Sequence, residues 1–535
     1  MIRLPSSPAA FSARLSANRP RRMARLDRDS GGRNNRQPGM ARCLMAALLL
    51  LAVGLPSSSR AADESKDDVE ESWSVIYMSG QRVGYGRSTV RKEQRDRQTI
   101  YLATHEEHMT MRRFGEDIKI IARTKTEETA DGHLLRYTFD MENPPAQSTR
   151  SVGTIDGTSL KIETTIAGRT SERVLKWNDS IRSPMYQERM QREQPLKPGD
   201  SRSLRIFSPE VTNIVDVRLQ ADDYREVKLP DGTLTKLLKV RVSQSILPGF
   251  ESRAYLNEDG ETLLAELDLL GMVMWTVPKE VALQKIAGAE LDVTVNTLIQ
   301  VKNPPADVHR QNSAVYRIKT PGRNPFEVLP KSDIQRVTKV SDDTADISLT
   351  AHRPERQTRS TEKPTEDFLS PTDYLQVNDS RVQDHARRAA AGNTDPGTIA
   401  IRMEEYVQKN LKKKNFSTAL ASAAEVAKNM EGDCTEHACL LAAMLRAKNI
   451  PSRVAVGLVY AEPYAAFAGH MWTEAWLGGQ WVPLDATLGK GGIGVGHIKL
   501  ADSDLSNDGP APVLSFLPLM NVLEDVELEC VSISR

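Results

Sequence analysis

Cysteine is scarce in this chain, with 4 among 535 residues, and aromatic residues make up 5%. Net charge is absent too: Lys plus Arg and Asp plus Glu each number 71. No apolar run reaches the roughly 20 residues that a membrane-spanning helix needs. Each shortage excludes something. So few thiols cannot staple a disulfide scaffold. The charge balance is also uneven, since residues 1–60 hold 11 Lys/Arg against 2 Asp/Glu and the remainder 60 against 69. A mildly acidic body carries no electrostatic footprint for nucleic acid. A solenoid period and an acidic loop of EF-hand type are likewise missing. His105-Glu106-Glu107-His108 is not H-E-x-x-H, because its histidines are three apart in a strand-like stretch and face opposite ways. In Gly489 to Gly496 (GKGGIGVG) the lysine is not followed by Ser or Thr, which excludes a phosphate loop and leaves a flexible flap. No metal and no cofactor are expected.

What is present falls into segments, and the length allows about two to four domains. Residues 1–61 read as an export segment. Arg42 precedes an apolar run from Cys43 to Leu55, and Ser59-Arg60-Ala61 offers a small-x-small cleavage site. Residues 62–72 form an acidic linker. Residues 73–305 are strand-rich, with Asp156-Gly157, Asp231-Gly232 and Asp259-Gly260 between alternating runs, as hairpins require. They predict a large curved antiparallel sheet whose face either packs on the rest of the chain or binds an extended partner. Residues 306–351 add a small β segment, and the Pro-punctuated stretch 352–371 reads as a linker. A helical lead-in opens the region 372–510, through Val382 to Ala391 and then Ile399, Met403, Val407 and Leu411. Residues 511–535 are a tail whose alternation of Val526, Leu528 and Cys530 suits a strand added at a sheet edge.

The chemistry concentrates between Glu431 and Thr487. Asp433 before an apolar-periodic run, with Glu436 three residues on, is a capping box, and it places Cys434 at the first helical position. A thiol there sits among free N–H groups at the positive end of the helix, which favours the thiolate. Cys439 lies about 8–9 Å away along the helix, beyond the roughly 7 Å reach of a disulfide. HMWTEAW and QWVPLD flank Gly478-Gly479, a two-residue hairpin turn. Pairing Leu477 with Gln480 sets Trp472 opposite Asp485 and His470 opposite Thr487. His470 and Asp485 then share a face in diagonal positions. Met471, Trp472 and Trp476 read as core or groove wall, and His497 as a structural residue or a substrate contact.

GDCTEHA, the helix ending in IPSR, GHMW and PLDAT resemble the core of the transglutaminase-like superfamily, a papain-like cysteine fold, over roughly Asn378 to Leu500. The resemblance implies a papain-like α+β transglutaminase core, which with the strand-rich pattern before it gives a multidomain α+β chain whose large N-terminal antiparallel β domain precedes that core. It also implies Cys434 as nucleophile, His470 as base and Asp485 as its orienter, with Asp433 and Trp472 in support and the Cys434 amide as an oxyanion donor. The expected chemistry is acyl transfer on a protein or peptide substrate. Hydrolysis of a peptide, isopeptide or related amide bond is favoured over amine transfer by a cross-linking transglutaminase. A different class, a binding protein for a cell-envelope component built on a degenerate core, stays open. Membrane contact is expected only through an uncleaved export segment. The export reading expects an extracytoplasmic mature chain beginning near Ala62. N-terminal sequencing that finds Leu44 to Leu55 retained replaces it with an anchored protein.

Overall fold

The computed structural model describes residues 69–113, 116–144, 148–166, 168–246, 251–268, 271–285, 291, 298–352, 364–411, 421–489, 492–507 and 526–534. The expected export segment, most of the expected 352–371 linker, and residues 508–525 of the tail region lie outside these. Among the described residues no helix is long and apolar enough to cross a membrane.

Two antiparallel meanders build the N-terminal body. Eight strands run from Val69 to Lys176 and six from Ser201 to Thr276. The first strand (Val69–Met78) zips against Met272–Thr276, and with the short Ile181–Arg182 parallel to Ser201–Ser208 the two form one fifteen-stranded sheet. Asp-Gly turns close three of its hairpins, with Gly157, Gly232 and Gly260 all at positive φ. The sheet curls so that Tyr137 of one meander packs on Phe207 of the other, their rings 4.8 Å apart. A helix that the sequence reading lacks, Tyr186–Glu193, lies against the sheet, where Arg189 pairs with Glu128 at 2.8 Å and covers Tyr101. Its buried residues are Gln187, Glu188, Arg189, Met190 and Gln191, so hydrophobic periodicity gives no signal.

Several expected boundaries shift. The acidic stretch 62–72 is not linker to its end, because Val69 to Ser72 pair with Arg91 to Ser88. Its described acids are paired, Glu71 with the cross-strand Arg87 at 2.7 Å and Glu70 with Arg192 of the helix Tyr186–Glu193 at 2.8 Å. Ile299–Lys302 leaves the N-terminal sheet and pairs with Phe467 and Ala466 of the C-terminal one. The 306–351 segment is likewise no separate unit. Its strands Ser313–Lys319, Gln335–Lys339 and Thr344–Thr350 continue the same nine-stranded sheet. The tail strand Glu527–Ser534 is interior rather than an edge, since Ile299–Lys302 pairs with one side and Ser313–Lys319 with the other. The described end of the linker is packed, Phe368 meeting Trp481 edge-on at 4.9 Å.

Helices Ser380–Ala390, Pro396–Asn410, Ala423–Asn429 and Cys434–Arg446 pack together beside this sheet. The last is buried along its whole length, and Thr473 binds it to the sheet through the Ala438 carbonyl at 3.0 Å. At its C-terminal end the buried Arg446 guanidinium donates to the carbonyls of Ser370, Ser452 and Asp504. The two bodies touch where Ser171, on the terminal strand Arg169–Lys176, donates to Asp373 at 2.7 Å and Arg169 pairs with Asp379.

Candidate active site

Cys434 is the first residue of its helix, behind a capping box. Asp433 accepts from the Thr435 and Glu436 amides, and Glu436 accepts from the Asp433 amide at 3.0 Å. Glu436 also accepts from the Ala421 amide, tying the nucleophile helix to the start of the preceding one. Gly432 permits this closeness, since its φ is +151° and a Cβ there would lie 2.3 Å from that of Glu436.

His470 lies on the strand Ala466–Leu477. One edge of that strand pairs with Ser452–Ala461 throughout. The other pairs with Ile299–Lys302 only at Ala466 and Phe467, and with Gln480–Leu484 only from Thr473 onward. Among the described residues no strand covers that edge from Ala468 to Trp472. The hairpin has the expected register, Leu477 opposite Gln480 and Thr473 opposite Leu484. The ladder stops there and the chain turns at Asp485, so Asp485 and Thr487 have no ladder partners.

The structure brings the three sequence-predicted residues together. Cys434, His470 and Asp485 are all buried, at 2%, 3% and 1% exposure. The Nε2 of His470 donates to Asp485 Oδ2 at 2.9 Å, and Cys434 lies near enough to favour the charged form of the ring. The Nδ1 edge is therefore the one left for the thiol. Trp472, two residues on and on the same face, lies with its ring 6.3 Å from that of His470. It spreads over Gly457 and Ala455 of the neighbouring strand. A Cβ at Gly457 would stand 2.0 Å from the Ile498 carbonyl and 2.9 Å from the indole. Its Nε1 is buried with no hydrogen-bond partner.

Sequence reasoning names His497 without its partner and misses Glu404 altogether. His497 Nε2 donates to the same Asp485 Oδ2 at 3.0 Å. Glu404, fully buried on Pro396–Asn410, accepts from the Asp485 amide at 2.7 Å. An acid inside the apolar stripe of Ile399, Met403 and Val407 is the signal that could have found it. The expected flap is not loose in its described part. Residues 492–496 are buried, Ile493 bridges to His352, and Gly494 abuts the His309 backbone. Beside Trp472 and His497 lies a small pocket of about 20 Å³, walled opposite by Ile334, Gln335 and Leu349.

Electrostatically the two histidines diverge around one carboxylate. Burial opposes charge on His470, but the Asp485 carboxylate and Cys434 outweigh it and hold that ring well above the usual imidazole value. Burial also raises Asp485, and His470 and His497 more than reverse this, leaving it well below the usual range. For His497 burial wins, pushing it down to about 4 against the help of Asp485. His470, Asp485 and His497 set donor atoms within 4.8 Å of one another, a group that could hold a metal ion. Their contacts to one another have hydrogen-bond lengths. Cys439, buried one turn along, is pushed up to about 12 by burial, and the cysteines at 434, 439 and 530 are free thiols.

Residues 383–486 match the model of the Transglutaminase-like superfamily. No curated protein matches the chain. Three solved structures are similar to parts of it. A candidate cysteine protease from Cytophaga hutchinsonii is 16% identical, with 36% of this chain and 78% of that one covered at a TM-score of 0.26. A β-barrel-like protein of a domain of unknown function from Brucella abortus is 12% identical, with 38% and 93% covered at 0.28. The periplasmic domain of TgpA from Pseudomonas aeruginosa is 16% identical, with 34% and 93% covered at 0.23.

The histidine pair predicts a pH dependence of stability. An unfolded His497 takes its proton near pH 6.5 and the folded one near 4, so the unfolded state binds more protons in between. Folding stability therefore falls as pH drops through that window, by up to about 3 kcal/mol from this group. Asp485 adds nothing there, because its contribution is lost only below the usual carboxylate range. Urea unfolding at pH 7 and pH 4.5 should show the loss in the natural protein and a flatter profile in His497→Gln. Parallel profiles would show that His497 is not buried neutral.

Proposed function

We propose that this protein, with its transglutaminase-like core at residues 383–486, is an exported cysteine-dependent acyl-transfer enzyme that hydrolyses amide bonds in protein or peptide substrates. The observation that carries the reading is the buried group of Cys434 at a helix N-terminus, His470, and Asp485 hydrogen-bonded to His470.

In this mechanism Cys434 Sγ attacks the amide carbonyl carbon and its proton passes to His470 Nδ1. The carbonyl oxygen takes the negative charge, and the Cys434 amide faces it as a donor. The cap engages the amides of Asp433, Thr435 and Glu436 and not that one. The C–N bond then breaks, the imidazolium returns its proton to the departing amine, and a thioester remains on Cys434. Water gives a proton to His470, attacks the thioester carbon and releases the acid, and the thiol recovers its proton. Asp485 fixes the His470 tautomer and stabilises the charged ring in both halves.

Iodoacetamide at near-neutral pH should alkylate Cys434 much faster than Cys439 or Cys530, and His470→Ala should abolish the difference. Incubated with an extract of the native compartment, the natural protein should accumulate an acyl-enzyme on Cys434. Asp485→Asn should keep the fold while lowering kcat about 10³–10⁴-fold, with a smaller change in KM. Equal, slow labelling of all three thiols would sink the enzyme reading in favour of a binding protein.

A further inference from the structure

We propose that His497 is a positioning residue of this site: its Nε2–H holds Asp485 Oδ2 and so limits how firmly Asp485 grips the His470 imidazolium. The proposal rests on the reading of Cys434 and His470 as nucleophile and base.

The geometry is a shared acceptor. Asp485 Oδ1 accepts from the amides of Thr487 at 2.8 Å and Leu488 at 3.3 Å, and Oδ2 accepts from His470 and His497 at 2.9 and 3.0 Å. Both imidazoles can reach one oxygen as donors only if each carries its proton on Nε2. His497 is then a neutral ring whose Nδ1 is a bare acceptor, and that atom is buried with no hydrogen-bond partner. Leaving it so has a desolvation cost that a leucine or phenylalanine would not incur. A residue wanted only for packing between Trp472 and His309, at 5.3 and 5.7 Å, would be apolar. The group that justifies an imidazole here is the Nε2–H.

Its effect follows from electrostatics. The carboxylate stabilises charge on His470, and each further donor to Oδ2 spreads the negative charge and weakens that pull. An imidazolium held too firmly is a poor acid toward a leaving amine. Besides Asp485, the titratable groups facing His497 are His470 and His309, and His309 is pinned through Nε2 to the Tyr460 carbonyl. Those facing His470 are Asp485, Cys434 and His497, with Glu404 bound to the Asp485 amide behind. A charged His497 would repel the His470 imidazolium across 5.7 Å between rings, so the arrangement works with His497 neutral.

The test follows carboxamidomethylation of Cys434 by iodoacetamide, read peptide by peptide, from pH 4 to 10. In the natural protein the rate should show a limb set by His470. His497→Phe keeps the ring volume without the donor and should move that limb upward by about one pH unit. His497→Gln, whose amide nitrogen can stand near the Nε2 position, should return it toward the original. A folded Phe variant with an unmoved limb, or a Gln variant displaced as far as Phe, overturns the proposal. If the natural protein shows no such limb, the Cys–His reading itself falls and takes this one with it. Should the Phe variant not fold, nitrogen-15 histidine spectra of the natural protein decide. They should show His497 as the neutral Nε2–H tautomer at pH 7, and an Nδ1–H tautomer overturns the proposal.

Discussion

A buried carboxylate is tolerable only when its lone pairs are taken, and Asp485 is the point where this constraint shapes the C-terminal body. Its four donors come from three places: a strand on one side, a second strand beyond it, and the turn that follows its own strand. Its amide is taken by a helix on another side. Satisfying one buried group thus fixes the relative placement of three neighbouring segments and of a helix 81 residues away. Removing either imidazole leaves a buried oxygen under-satisfied, which costs more than the bond itself contributes. The uncovered strand edge from Ala468 to Trp472 leaves His470 unscreened by a neighbouring strand on that side, and this is where the helix N-terminus brings Cys434.

The parts of this arrangement that depend on near neighbours are legible in the amino-acid order. Asp433 and Glu436 of the box are three positions apart, and the Gly478-Gly479 turn sets the register over five pairs of positions. Cys434 at the first helical residue and the pairing of Leu477 with Gln480 both follow from such short-range rules. The ladder pairs run only as far as Leu484, because the carboxylate of Asp485 accepts from amides of its own turn, which bends the chain out of the strand. His497 and Glu404 are different. Each reaches Asp485 through tertiary placement, and neither sits in a local pattern that names its partner. The helix Tyr186–Glu193 was hidden for another reason, since it buries polar side chains that the sheet satisfies.

The N-terminal sheet meets the C-terminal body by the end of its meander rather than by its face. Arg169 and Ser171 on the terminal strand meet Asp379 and Asp373. Asp379 is also the N-cap of Ser380–Ala390, accepting from the Arg381 amide at 2.9 Å. The same carboxylate therefore starts the helical lead-in and receives the neighbouring body's cation. Burial of Asp379 makes this pair stronger than an exposed one, where such contacts are worth about 1 kcal/mol or less.

The interior position of Glu527–Ser534 governs when the C-terminal body can exist at all. Lys302 and Glu527, which pair at 2.6 Å, are 225 residues apart. Sheet closure must therefore await nearly the whole chain, a high-contact-order step that is intrinsically slow. Synthesis is vectorial, and so is passage through a membrane pore. A chain made or threaded from its first residue exposes Cys434 and His470 long before residue 534 arrives to complete the sheet between the strands at 299 and 313. Until then the sheet carrying the histidine lacks a middle strand. Completion of that sheet is thereby coupled to the strand Glu527–Ser534.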